Sequence, residues 1–554
     1  MSLFGRQYSK WIQTTHRHVL GSPARKARLY WERNIANLTT TDAQRKTIYA
    51  LSTPPGKGGV AIVRVSGPDA LHVWKRMARS HKSEKPLLDP APWKMQRCRI
   101  VHPESEMLID DGLAVYFKAP YSYTTLPTLE LHIHSGRALI SALLSALSSF
   151  PSLRPAEPGE FTRQALLGGR LDLTQVEGLH DLIEADTEVQ RLWALGSAGG
   201  ETRAEYDSLR TQIIHCLAQV EALIDFGEGE DIEEGVYEQA RAEAADLLAQ
   251  IRKHLSDNRR GELVRSGIKM AIFGPPNAGK SSLFNYLANR PASIVTSIPG
   301  TTRDVIELTL DIGGLPVVVA DTAGLRETHD VVEVIGVQRG LDAIKNADIS
   351  LCVLPLSDVL FRTSSQGMQT VIPSEVKEIV TPTTYFLFNK SDLVPPSQRS
   401  LFQLGLQVHQ AEEENMASLQ GRSWIASLAT GEGSHEFVQG LAKSLKSRFD
   451  IHDPNSSQQG VQSQSKLHGP IITRARHRVH LESACKFLEA FLVLRERSLP
   501  SLTALLLLTA AAPEDVVIAA EELRYAAQAV GRVTGDIGVE DVLDSLFKDF
   551  CIGK

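Results

Sequence analysis

The sequence predicts a multidomain chain of mixed α+β and α/β class. It has an N-terminal α+β domain, a discontinuous all-α domain and, inserted into the latter, an α/β domain with a mostly parallel sheet. Three observations predict this. A chain of 554 residues is too long for one hydrophobic core. The apolar pattern changes from short β-type runs before residue 165 to a helical period after 171, and the helical period returns at 472–494 and 502–550. Between the two helical stretches stand "GIKMAIFG", "LPVVVADT", "DISLCVLP" and "TTYFLFNK", apolar runs of the kind buried on both faces of a parallel sheet.

In chain order, residues 1–45 come first. The first forty carry seven Lys or Arg against one acid, Glu32, and many hydroxyl side chains. That bias reads as a mitochondrial transit peptide, with a disordered basic tail as the alternative, so the stretch is set apart from the fold. Residues 46–165 hold the β-type runs "TIYALST", "VAIVRVSG", "GLAVYFKA" and "LELHIHS", punctuated by glycine and proline. Residues 166–265 form the first part of the helical domain, where Leu209, Ile213, Leu217, Val220 and Ile224 make one apolar stripe. "FGEGEDIEEG" at 226–235 reads as a solvated turn between helices. The α/β domain spans 266–452. A polar stretch, "PNSSQQGVQSQSK", marks a linker over 453–469, and 470–554 completes the helical domain.

Composition narrows the function classes. A net charge of −6 gives no general attraction to nucleic acid, so any RNA contact must come from a local patch or a partner. Cys98, Cys216, Cys352, Cys485 and Cys551 stand far apart without a C-x-x-C pair, which argues against a disulfide framework or a zinc site. The longest apolar run, "LTALLLLTAAAP" at 502–513, is too short to span a bilayer.

"GPPNAGKSS" at 274–282 fits G-x-x-x-x-G-K-[ST] between a strand and a helix pattern. In such a loop backbone N–H groups curl around phosphates, Lys280 reaches the β and γ oxygens, and the Ser281 hydroxyl faces Mg2+. Asp321 of "DTAG" ends the strand "VVVAD", where a carboxylate holds the metal's water shell. Asp392 of "FNKSD" can accept two hydrogen bonds from a guanine edge, which adenine cannot supply. "WIASLATGEG" at 424–433 supplies Ser427 where a guanine carbonyl contact is expected, although Leu428 follows it. Thr302, in "IVTSIPGTTRDVIE" at 294–307, is the switch-loop ligand for Mg2+. Together these motifs specify a Ras-like P-loop GTPase domain. Its GTP site takes in Asn277, Ala278, Gly279, Lys280, Ser281 and Ser282 from the phosphate loop, and Thr296, Ser297, Ile298, Pro299, Gly300, Thr301 and Thr302 from the switch loop. Asp321, Thr322, Ala323 and Gly324 follow, then Asn389, Lys390, Asp392 and Ser427 on the guanine side. Leu325 stands where Ras-type enzymes place a water-orienting glutamine, and leucine has no hydrogen-bonding group.

These three stretches, "GPPNAGKSSLFN", "IVTSIPGTTRDVIE" and "DTAGLRETHDVVEVIG", resemble the MnmE (TrmE) family of tRNA-modifying GTPases. So do "STPPGKGGVAIVRVSGPDAL", "RPAEPGEFTRQALLGGRLDLTQVEGLHDLI", "QVEALIDFGEGEDI" and the terminal "FCIGK", which lie outside the nucleotide-binding motifs. The resemblance implies activation by K+ held beside the β and γ phosphates, where it does the electrostatic work of an arginine finger. Asn277 matches the family's side-chain ligand for K+; Thr296, Ile298 and Thr301 match the loop positions that enclose the ion. Glu333 matches the catalytic glutamate that orients the attacking water; from the residues alone, Glu327 could not be set apart from it. K+ and GTP are expected to bring two GTPase domains face to face in a homodimer joined through the N-terminal domain.

That N-terminal domain resembles the family's tetrahydrofolate-binding module. Arg64, Glu130, Arg170 and Lys554 match its binding positions, the cations suiting folate carboxylates and Glu130 the amino-pyrimidine edge. The ligand is expected to be 5,10-methylene- or 5-formyl-tetrahydrofolate. One departure stands out: "TTLPTLELHIHSG" lacks the acidic pair and two glycines usual in the family, which alters the loop at 124–136. Cys551 is a neighbour of the one-carbon site by resemblance; it reads either as a nucleophile or as a small buried residue. The expected partner is a flavoprotein of the MnmG (GidA) type, which carries the FAD. Together they would modify carbon 5 of the wobble uridine of tRNA in the mitochondrial matrix, with tRNA bound mainly through the partner. Two rivals are open: a ribosome-assembly GTPase, which requires an RNA-binding module after the GTPase domain, and a family member with a decayed folate site.

Overall fold

The computed structural model describes residues 47–81, 85–87, 89–226, 235–257, 259–288, 307–320, 344–363, 367–370, 376, 379–399, 421–449, 451, 469–494, 513–535 and 553. The transit-peptide stretch and all but the last residue of the expected linker lie outside them. Contacts divide the chain into two units, one ending at Leu171 and including Gly553, the other beginning at Asp172.

The first unit is built from β1 (Thr47–Leu51), β2 (Gly58–Ser66), α1 (Ala70–Met77), β3 (Ala78–Ser80), β4 (Gln96–Val101), β5 (Leu108–Phe117), β6 (Thr128–Ser135), α2 (Arg137–Ser148), β7 (Leu153–Pro155) and α3 (Glu160–Leu167). The strands make one sheet in the order β3-β4-β5-β6-β2-β1-β7. Every pair is antiparallel except β1–β7. Strand alternation gives this sheet two unlike faces. Leu129, Leu131 and Ile133 of β6 bury against Trp74 and Met77 of α1 and Leu143 and Leu147 of α2. Glu130 and His132, the alternate residues, are half-buried on the other face.

The second unit opens with α4 (Leu173–Ile183), α5 (Glu188–Gly199), α6 (Glu201–Phe226), α7 (Val236–Leu255) and α8 (Arg260–Ser266). Then come β8 (Ile268–Phe273), α9 (Lys280–Ala288), β9 (Glu307–Ile312), β10 (Leu315–Ala320), β11 (Ile349–Pro355), α10 (Leu356–Val359), β12 (Leu360–Thr363), β13 (Gly367–Thr370), β14 (Thr384–Asn389), β15 (Ser423–Ile425) and α11 (Ser434–Arg448). Helices α12 (Ala475–Val493) and α13 (Pro513–Thr534) close it. The sheet order is β15-β14-β11-β8-β10-β9, with β12 and β13 pairing apart. All its neighbours run parallel except β9 and β10. The central strands β11 and β14 are buried at every position, as their unbroken apolar runs require.

Helices from both sides of the inserted sheet share one core. Tyr206, Ile213 and Val220 of α6 pack with Leu247 of α7, Leu488 and Phe491 of α12, and Leu523 and Val530 of α13. The buried seam of α6 runs Leu209, Ile213, Cys216, Val220, while Leu217 is half-buried and Ile224 exposed. The seam thus keeps the helical alternation of four, three and four residues, and Cys216 takes the place that the sequence stripe gave to Leu217. Among the described residues no helix is long and apolar enough to cross a membrane.

Candidate functional site

The phosphate loop joins β8 to α9, at the carboxyl end of a central parallel strand, where open α/β sheets bind ligands. Its backbone is unusual at three positions: Gly274 has φ 146°, Asn277 φ 58° and Gly279 φ 101°. Gly279 has no room for a side chain, since an added Cβ would stand 2.1 Å from Asn389 Nδ2. Lys280 Nζ donates to the carbonyls of Gly274 (3.0 Å) and Pro275 (2.9 Å) across the loop. Burial lowers the Lys280 pKa from its ordinary value. Ser281 and Ser282 sit exposed in the first turn of α9, as does Asn277 just before it.

The guanine side is tied to this loop by one buried residue. Asn389 Nδ2 donates to the Ala278 carbonyl (2.8 Å), and Asn389 Oδ1 accepts from the Leu428 N–H (3.1 Å). Ser427 Oγ donates to Asp392 Oδ1 (2.6 Å), and Lys390, between Asn389 and Asp392 in the chain, has φ 60°. Sequence reasoning missed the outer brace of this loop. Arg399 Nη1 donates to both carboxylate oxygens of Glu432 (3.0 Å each), and Arg399 Nε donates to the Val394 carbonyl (2.7 Å). The structure thus brings Ala278, Gly279, Lys280, Asn389, Asp392 and Ser427 together as the motifs require. Thr296, Ser297, Ile298, Pro299, Gly300, Thr301, Thr302, Asp321, Thr322, Ala323, Gly324 and Glu333 lie outside the described residues, as do Cys551 and Lys554. Of the residues expected to hold metal, Asn277 and Ser281 are described. Both present exposed oxygen-bearing side chains at the loop, the hard donors that suit K+ and Mg2+.

A second cluster lies on the polar face of the first unit's sheet. Arg64 on β2 is the direct cross-strand partner of Glu130 on β6, and Arg64 Nε donates to Glu130 Oε1 (2.9 Å). The Arg64 guanidinium stacks 5.5 Å from the Tyr123 ring and 5.6 Å from Phe161. Burial pushes the Glu130 pKa up, but the His132 and Arg64 side chains outweigh it and hold the carboxyl below the usual range. Tyr123 shares a hydrogen bond with Thr162 (2.9 Å), and burial raises its pKa against the pull of Thr162, Arg64 and Arg170. Arg170 is exposed after α3, and its charge reaches this same ring. The altered loop is closed by hydroxyls. Ser66 and Thr124 share a hydrogen bond of 2.6 Å, Thr124 and Thr128 one of 3.1 Å, and Ser66 Oγ donates to Gln164 (2.9 Å). The chain's end meets this sheet too: Ser52 Oγ donates to the Gly553 carbonyl (3.0 Å). Gly553 has φ 101°, and a Cβ there would stand 2.1 Å from the Leu51 carbonyl oxygen. Sequence reasoning also missed His132, two residues from Glu130 and on its face; the period of two in "LELHIHS" was the available signal.

Comparison with known proteins agrees with this layout. Residues 47–170 match the GTP-binding protein TrmE N-terminus, and residues 173–551 match the MnmE helical domain. The mitochondrial 5-taurinomethyluridine tRNA synthase subunit GTPB3 of Danio rerio is 40% identical over 513 residues, covering 92% of this chain and 93% of that protein. Its counterpart of the same name in Homo sapiens is 38% identical, covering 92% and 93%. The tRNA modification GTPase MnmE of Parvibaculum lavamentivorans is 39% identical, covering 92% of this chain and 100% of that protein. This chain belongs to the MnmE (TrmE) family of tRNA modification GTPases.

Proposed function

We propose that this chain, a GTPase of tRNA modification by family, works in the mitochondrial matrix as a K+-activated homodimer with a flavoprotein of the MnmG (GidA) type. The pair would install an aminomethyl-type group on carbon 5 of the wobble uridine, using a folate one-carbon unit. The names of the animal relatives favour the taurinomethyl form of that group and the mitochondrial address. The observation that carries the reading is the pairing, on one chain, of a phosphate loop locked to a guanine loop with a partly buried Arg64–Glu130 row beside the Gly553 tail. A GTPase switch alone has no use for the second cluster. The ribosome-assembly rival needs an RNA-binding module after the sheet, and the elements among the described residues there are the helices α11, α12 and α13.

In this reading the backbone amides from Asn277 to Ser281 bind the phosphates, Lys280 turns to the β and γ oxygens, and Asp392 with Ser427 reads guanine. Asn277, Thr296, Ile298 and Thr301 would hold K+, which would supply positive charge against the charge that develops during hydrolysis. Ser281, Thr302 and Asp321 would hold Mg2+, which would supply positive charge to the phosphate oxygens. Glu333 orients the attacking water, which Leu325 cannot do. Arg64, Glu130, Arg170 and Lys554 would hold folate, which would supply the carbon; the buried Nε2 of His132 beside them, with no hydrogen-bond partner within 3.5 Å, fits a polar ligand. Exposed Trp93, Met95, Met107 and Leu108 at the β3–β5 end of the sheet offer apolar surface for a second copy.

The test is mass spectrometry of mitochondrial tRNA from cells lacking this chain and re-expressing either wild type or Glu333→Ala. Loss of the wobble modification, restored by wild type and not by the variant, is expected. A normal modification profile in the depleted cells overturns the reading.

A further inference from the structure

We propose that His132 is a specificity-determining residue for the 2-amino-4-oxopyrimidine edge of a reduced pterin, acting beside Glu130. The inference rests on the reading that the first unit binds folate. Three observations carry it. His132 Nε2 is buried with no hydrogen-bond partner within 3.5 Å. It stands 3.7 Å from Glu130 Oε2, too far for a hydrogen bond and close enough for both atoms to converge on one ligand edge. And Arg64 takes Oε1 of the same carboxylate through a single nitrogen, leaving each oxygen of Glu130 with lone pairs to spare.

A buried polar atom without a partner costs free energy, and native proteins keep few of them without a use. His132 faces Leu113 on β5 and Ile62 on β2, which give it no partner. The neighbouring Glu130, held ionised, favours the tautomer that carries its proton on Nε2. The row then reads donor, acceptor, acceptor: His132 N–H, Glu130 Oε2, Glu130 Oε1. A 2-amino-4-oxopyrimidine edge reads acceptor, donor, donor across its carbonyl, ring N–H and amino group. The two sequences are complementary. A pterin with an amino group at position 4 turns the first acceptor into a donor and the ring N–H into an acceptor, so the His132 N–H has nothing to give it. Glu130 accepts from the ring N–H and the amino group of the oxo form, and His132 adds a contact that only the 4-carbonyl can accept.

The experiment is calorimetric titration of the full-length dimer with 5-formyl-tetrahydrofolate and with a 4-amino-4-deoxy folate analogue. The proteins are wild type, His132→Phe and His132→Gln. Phe keeps a ring beside Leu113 and removes the N–H; Gln restores an N–H donor. His132→Phe is expected to raise the Kd for 5-formyl-tetrahydrofolate about tenfold, the worth of one hydrogen bond, and to leave the Kd for the 4-amino analogue within about twofold. His132→Gln is expected to recover most of the loss. His132 also helps hold Glu130 ionised, so the melting temperature of His132→Phe is expected to fall slightly, and comparing the two ligands in the one variant separates binding from stability. An unchanged Kd for the oxo ligand in His132→Phe, or equal losses for both ligands, overturns the proposal and leaves the folate reading standing. A wild-type protein that binds no reduced folate overturns both.

Discussion

Asn277 holds a backbone conformation (φ 58°) that side chains other than asparagine visit at a cost on the order of 1 kcal/mol, and that glycine adopts freely. This allows its side chain to be tested apart from its backbone. Asn277→Gly keeps the loop and removes the amide oxygen, whereas Asn277→Ala confounds the two. If the amide oxygen holds K+, Asn277→Gly should bind GTP within about threefold of wild type and lose the preference for K+ over Na+ in turnover. Hydrolysis rates measured in the two salts decide it, and equal wild-type rates in both remove K+ from the mechanism. Legibility from sequence also divides at this scale. The phosphate loop and "FNKSD" could be read because each is a contiguous run whose chemistry is local. The Asn389 link to Ala278 spans 111 residues and the Arg64–Glu130 pair 66, so neither has a spacing to read. Glu130 was reached by resemblance alone, and His132 was missed because an unpartnered atom is a property of the packed sheet.

Among the elements, the start of α12 depends on a charge network that its sequence disguises. "TRARHR" reads as a solvated basic run. Instead Arg476 grips Glu177 of α4 through Nε to Oε1 (2.6 Å) and Nη2 to Oε2 (2.7 Å). His477 Nε2 lies 2.9 Å from the same carboxylate, and Arg474 reaches Asp181 (2.7 Å). Arg476 Nη1 also donates to the Val533 carbonyl of α13 (2.9 Å). Burial would raise the Glu177 pKa, but His477 and Arg476 outweigh it and hold the carboxyl far below its ordinary value. Burial lowers the His477 pKa against the pull of Glu177. The signs agree. A depressed carboxyl lends stability that is whole above its unfolded value, about 4.3, and is lost as pH falls toward the folded value. A histidine kept neutral lends stability that is whole above about 6.5 and shrinks as pH falls below it. Melting temperature should therefore be flat above about pH 7, decline below about 6.5, and drop faster below about 4.3. Glu177→Gln leaves the half-buried Arg476 and the neighbouring Arg474 without their buried counter-charge and should cost about 3 kcal/mol at neutral pH. Thermal melts at pH 7.5, 5.5 and 4 check both limbs; a variant as stable as wild type at pH 7.5 shows that the network is only decorative.

At the scale of the second unit, the inserted sheet is joined to the helices by more than its two covalent crossings. The turn between β9 and β10 is clasped by the start of α5, where the Val189 N–H donates to the Gly314 carbonyl (3.3 Å) and the Val189 side chain enters the sheet's own core. Gln190 completes the clasp. Its Oε1 accepts from the Thr187 N–H (3.1 Å) in the capping box of α5, while Nε2 donates to the carbonyls of Val264 (3.1 Å) and Arg265 (3.3 Å) at the end of α8, just before β8. Strand β10 leads directly into Asp321, and β9 begins at Glu307, so in chain order the clasped turn lies between the two segments proposed above to read the γ-phosphate. A nucleotide at a hundred times its Kd stabilises the folded state by about 2.7 kcal/mol. Through this clasp that stabilisation should spread to α4 and α5 as well as the sheet. Gln190→Glu separates the two roles: a glutamate serves the capping box equally well but cannot donate to Val264 and Arg265. In wild type, hydrogen exchange of α4 and α5 amides should slow when a nucleotide is bound. In Gln190→Glu the slowing should persist in β8 and β11 and fade in α4 and α5. Equal slowing of those helices in both proteins means the coupling travels through the covalent crossings alone, and the clasp is then only a packing contact.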